Sequence, residues 1–211
     1  MIQMLPLRTG WDPTLDGEDD YPPDLPPEWR LAYFAGLFRG VLVPAGLWRE
    51  AGTAGAAAWV ADTPARFRFF LELEEGGAAR CPDPVVEALG DRLGGLVGPA
   101  SAPASDLVAA PHPGVDPGAA PPRLLRVVAA ARGCADTPPG VGLAWEVPDP
   151  LLSDLRVARI WVEARVRSEG PQGVCGAAVF GTPQPVIALL GDCRFEDLAR
   201  WQTMLELMGL A

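Results

Sequence analysis

The run Phe67-Arg68-Phe69-Phe70-Leu71-Glu72-Leu73-Glu74 constrains the fold more than any other stretch of the chain. Its apolar side chains occupy both alternating sets of positions, and a strand that is apolar on both faces has to be covered on both. Strands of this kind belong to parallel sheets with helices packed over them. Two strand-plus-helix units precede it. Residues 2–8 read as a first strand, and an acidic, Pro-rich loop then leads to Pro26-Pro27-Glu28, which opens a helix with Pro in its first turn and an acid at its positive end. Residues 39–43 form a second strand stopped by Pro44, followed by an Ala-rich helix over 46–60.

Beyond the third strand the pattern predicts a short helix at 84–93, a fourth strand at 93–98 and a mobile loop rich in Pro and Ala over 99–120. A helix over 121–132 comes next, then a strand at 141–147, a helical turn at 150–155 and strands at 159–167, 173–180 and 185–190. The last element is a helix capped by Asp192, with Phe195, Leu198, Trp201, Leu205 and Met208 at helical spacing. Alternation of strand and helix through one 211-residue domain predicts an α/β fold with crossover helices, and seven or eight strands suit a closed (βα) barrel of TIM type. An open doubly wound sheet is the alternative. Gly52-Thr53-Ala54-Gly55 follows no strand directly, so no dinucleotide is expected there, and no cofactor is assigned.

The chain has no Lys and no Asn, so its 17 basic residues are all Arg. That excludes a Walker-type phosphate loop, Schiff-base catalysis and a Ser-Lys dyad. The single His, His112, sits between prolines in a loop unsuited to holding a catalytic position. Four cysteines, Cys81, Cys134, Cys175 and Cys193, form no Cys-x-x-Cys pair, which argues against structural zinc and suits a cytoplasmic protein with reduced thiols. No secretory leader or membrane span is expected. A net charge of -10 repels phosphate backbones and anionic lipid, so neither nucleic acid nor membrane is an expected partner.

Gly10-Trp11, Tyr21-Pro22, Leu25-Pro26, Trp29 and Phe67-Arg68-Phe69 stand in an order that resembles the widespread bacterial family of unknown function numbered seventy-two, the YecE-like proteins. Leu89-Gly90 with Leu93-Gly94, the Glu146 strand and Phe195-Glu196-Asp197-Leu198 before Trp201 fit the same plan more loosely. The resemblance implies a barrel of triosephosphate-isomerase type, with a reduced last unit because the chain is shorter than typical members. It also implies lost pocket chemistry. Leu42-Val43-Pro44 stands where the family has Glu-x-Asn, Glu72 where it has Lys, and Ala188 and Gly191 or Asp192 where it has Arg and His.

Working residues of a barrel project from the carboxyl ends of its strands. Those places hold Asp12, Glu72, Glu74, Glu146, Asp149, Glu163 and Asp192. A ring of carboxylates could supply the acid and base of a glycoside hydrolase, from Glu72, Glu146, Glu163 and Asp192, or bind a divalent cation through Asp12, Glu72 and Glu163. The other reading is structural: Glu72 and Glu163 neutralise Arg68, Arg165 or Arg8 in a buried polar layer. Two function classes follow. The favoured one is a non-catalytic protein acting through a protein partner or self-association, with Trp48, Trp59 or Trp201 as contact residues if exposed; the alternative is an enzyme or metal-binding protein built on the acids.

Overall fold

The computed structural model describes residues 3–12, 20–73, 83–99, 124–128, 141–174 and 186–211. His112, Glu74, Cys81, Cys134, Cys175, the 99–120 loop beyond its first residue and most of the strand expected at 173–180 lie outside the described residues. In chain order the elements are β1 (Met4–Leu7), α1 (Arg30–Leu37), β2 (Gly40–Val43), α2 (Ala45–Asp62), β3 (Arg68–Glu72), α3 (Asp83–Leu89), β4 (Leu93–Pro99) and β5 (Leu124–Val128). They continue with β6 (Val141–Glu146), α4 (Pro150–Ser153), α5 (Leu155–Val174), β7 (Val186–Leu189) and α6 (Phe195–Leu207).

The strands form one mixed sheet in the order β1-β7-β6-β5-β4-β3-β2. The fold is α/β, but the TIM-type barrel expected from the sequence does not form. Two three-stranded parallel runs, β2-β3-β4 and β6-β7-β1, are joined through β5, which is antiparallel to both of its neighbours. The end strands β1 and β2 meet at a single bridge, Thr9 with Leu42, rather than along a ladder.

Two wrong assignments explain the difference. The short apolar run Leu124-Leu125-Arg126-Val127-Val128 suits either a helix or a strand, and it pairs residue for residue with β6, from Leu124 opposite Trp145 to Val128 opposite Val141. Residues 159–167, expected as a strand, belong instead to α5. There Ala158, Trp161 and Val162 are buried at the i, i+3, i+4 spacing of a helix face.

β3 matches its reading: Phe69, Phe70 and Leu71 are buried on alternating sides. Phe69 and Leu71 join the large core under the helices, while Phe70 joins Leu7, Leu42, Val97, Ala144, Ile187 and Leu189 in a second, smaller cluster. Side chains from six strands meet in that cluster, so the sheet is strongly curled. Opposite Phe70 the register slips by one residue at Gly94, where any Cβ would fall 2.4 Å from the ring. A bulge with no side chain is what lets the Phe70 ring lie against the backbone. α2 is broken at Gly52, whose φ of 58° only glycine adopts without strain.

α6 buries Phe195, Leu198, Trp201, Met204 and Leu205 along its core face. Asp192 is not its cap. The first turn starts after Arg194, and the Phe195 amide donates instead to Oδ1 of the distant Asp20 at 2.9 Å. No helix among the described residues is long and apolar enough to cross a membrane.

Candidate functional site

Arg8 follows the last residue of β1, and its backbone is held between two strands: its carbonyl accepts from the Leu42 amide, and the next amide, of Thr9, donates to the Gly191 carbonyl. The side chain is fully buried. One Nη donates to the Asp12 carbonyl at 2.6 Å and to Asp192 Oδ1 at 3.0 Å, and the other lies 3.6 Å from Asp20 Oδ2. The two acids differ sharply: the Asp20 side chain is 4% exposed and that of Asp192 57%. The guanidinium also lies over the Phe195 ring, 5.2 Å from its centroid.

An aromatic wall encloses this cluster. Tyr21 donates its hydroxyl to the Trp11 carbonyl and packs edge-on against Phe195, and Trp11 packs edge-on against Trp59. Burial pushes the Tyr21 phenol well above its ordinary range, against the opposing pull of Arg8, so the hydroxyl stays a donor. Arg8 and Asp20 therefore tie the ends of the segment between β1 and α1 to the β7–α6 junction, with Phe195 held from both sides.

Cys193 is buried beside the same cluster. Burial pushes its thiol up to about 12, with the Arg8 charge working the other way. A raised folded pKa means that the folded chain holds the proton longer. The stability tied to Cys193 is therefore complete below about pH 9 and declines as pH rises toward about 12. At pH 8 alkylation followed by peptide mapping is expected to leave Cys193 unmodified in the folded protein and to modify it fully in urea. Rapid modification of the folded protein would show the thiol to be open to solvent.

The structure disperses the carboxylates singled out from the sequence. Glu72, half-buried at the end of β3, accepts from the Ala45 amide at the N-terminus of α2 at 3.2 Å, and its carbonyl accepts from the Trp48 indole at 2.9 Å. Glu163 is not at a strand end at all: it lies on α5, where it pairs with Arg159 one turn away at 2.8 Å. Glu146, the last residue of β6, and Asp149 beyond it are exposed. Asp12 pairs with Arg30 at 3.8 Å, and Asp192 with Arg8.

Of the arginines expected to join Glu72 and Glu163 in a buried layer, Arg68 and Arg8 take other partners. Arg68 donates to the Ala65 and Phe67 carbonyls, and Arg8 takes Asp20 and Asp192. Among the described residues, no group of three His, Cys, Asp or Glu side chains is placed to hold a metal ion. Two cavities, of about 510 and 700 Å³, are lined by none of these acids.

Sequence reasoning missed Asp20. It ends the acidic stretch Asp16-Gly17-Glu18-Asp19-Asp20, and only its place just before the Tyr21-Pro22 landmark sets it apart from Asp19. The tryptophans named as contact residues are in the core: Trp48, Trp59 and Trp201 are buried, and Trp29 is the exposed one. Compared with known proteins, the chain matches no family model, no curated protein and no solved structure.

Proposed function

We propose that this protein is non-catalytic and works by association, with the outer face of α1 as its contact surface and a second copy of the chain as the occupant. A divergent relation to the YecE-like family, with the pocket chemistry of that family replaced, is part of the same reading. The observation that carries it is the composition of α1 and the turn before it. Trp29, Ala32, Tyr33, Gly36 and Leu37 recur at i, i+3, i+4, i+7 and i+8, the spacing of a buried helix face, yet all five are exposed. Trp29, Tyr33 and Leu37 are 63%, 37% and 51% accessible. The opposite face, Leu31, Phe34 and Ala35, is already in the core, so beyond Arg30 the helix is apolar on both sides with one side uncovered.

Self-complementarity favours a second copy. A two-fold axis near Tyr33 sets Trp29 of one chain against Leu37 of the other, while Ala32 and Gly36 leave space for close backbone approach. The ends carry opposite charge, with Asp24 and Glu28 before the helix and Arg39 after it, so antiparallel docking pairs them. One short helix face offers less than the roughly 800 Å² per partner of a standard interface, so micromolar association is expected. Sedimentation velocity should show a coefficient that rises with concentration for wild type and stays monomeric for Tyr33→Glu. A wild type that remains monomeric over two decades of concentration would exclude the dimer.

A further inference from the structure

At the opposite end of the sheet from Arg8, where β1, β2 and β3 begin, lies a cavity of about 700 Å³. Arg39, Arg66 and Arg68 line it together with Gln3 and Gln202, over an apolar floor from β1 and the end of α1. In a chain of net charge -10, no Asp or Glu side chain among the described residues lines this cavity, which Ala211, the last residue of the sequence, also borders. We propose that it binds a small organic molecule carrying two or more anionic groups, phosphate or carboxylate.

The donor arithmetic supports a ligand of that kind. A guanidinium has five N–H donors in a planar fork that matches an anion bidentately. Arg66 spends one on the Gly36 carbonyl at 3.1 Å, and Arg68 donates from Nη1 to the Ala65 and Phe67 carbonyls at 2.7 and 3.0 Å. Among the described residues neither has a carboxylate within ion-pair reach, and the ion pair of Arg39 with half-exposed Glu206 is 3.9 Å long. These carbonyl contacts hold the two side chains at the cavity wall and use a minority of their donors. Three cations in a concave site raise the local concentration of anions, and the volume suits a small organic body.

Pyrophosphate and citrate serve as probes, titrated calorimetrically into the full chain at fixed ionic strength. Saturable one-to-one binding of at least one is expected, weakened at least tenfold in Arg66→Gln/Arg68→Gln and unchanged in Arg200→Gln, whose arginine lies outside this cavity. The probe that binds more tightly tells phosphate from carboxylate chemistry. Arg66→Gln alone removes a single hydrogen bond from an exposed side chain, and a severalfold loss in that variant carries the test if the double variant does not fold. Neither probe binding saturably, or equal binding by wild type and variants, would overturn the site. Leu37 and Arg39 border both this cavity and the α1 face, so the two readings are separated by variants away from the overlap: Tyr33→Glu should still bind the probes saturably, and Arg66→Gln should sediment like wild type.

Discussion

Replacing Arg8 with methionine is expected to destabilise the protein by about 3–5 kcal/mol, because Asp20 would be left charged in a buried site without the one cation paired with it among the described residues. For a chain of this length that lowers Tm by roughly 6–20 °C. The variant also loses the donor to the Asp12 carbonyl and the cation over Phe195, so the start of α6 and the segment entering α1 loosen together. Arg8→Met/Asp20→Leu should recover part of the loss, since an apolar pair of similar volume avoids desolvating two charges, while the Phe195 amide still loses its acceptor on Asp20. The double-mutant cycle gives the coupling directly. A cost for Arg8→Met below about 1 kcal/mol, the range of a surface ion pair, would mean that water reaches the cluster and that it is no structural clasp.

Trp201→Ala should be comparably damaging, at about 3–5 kcal/mol. Trp201 is fully buried on α6 and continues an edge-to-face series from Trp145 through Trp161, with centroids 5.8 and 6.5 Å apart. That series fastens α5 and α6 to the β6 side of the sheet. The Trp201 indole N–H has no hydrogen-bond partner among the described residues, so Trp201→Phe removes ring area but no polar contact. It should cost less than half as much as the alanine variant. Urea unfolding of the two variants checks both figures; similar losses would mean that the indole nitrogen has an acceptor after all.

Legibility in the sequence follows the length and period of each signal. β3 and α6 could be read because their apolar positions repeat over several residues with the period of the element they form. The segment 124–128 could not: five residues are too few to separate periods of 2 and 3.6, and Pro121-Pro122 upstream suggested a helix start. Over 159–167, Trp161, Glu163 and Arg165 also satisfy strand alternation, and only Ala158 with Trp161 and Val162 shows the helix. These two segments account for the mistaken barrel.

The site was legible in one half only. Arg8 stands out as a charge at the end of an apolar strand, but its partners come from residues 20 and 192, and pairing across such separations leaves no local trace. Of the arginines of the 700 Å³ cavity, Arg66 and Arg68 stand two residues apart, but Arg39 joins them only when β2 and β3 align. The bare face of α1 is present in the sequence as a run of apolar residues, but exposure decides its meaning, and exposure is set by what the rest of the fold covers.

The most direct test of association through α1 is amide hydrogen exchange over residues 30–38, followed as a function of protein concentration. Protection there should rise with concentration in wild type and not in Tyr33→Glu, while the amides of β3 and α6 exchange alike at every concentration. Exchange over 30–38 that does not depend on concentration, in a wild type that stays monomeric, would contradict it.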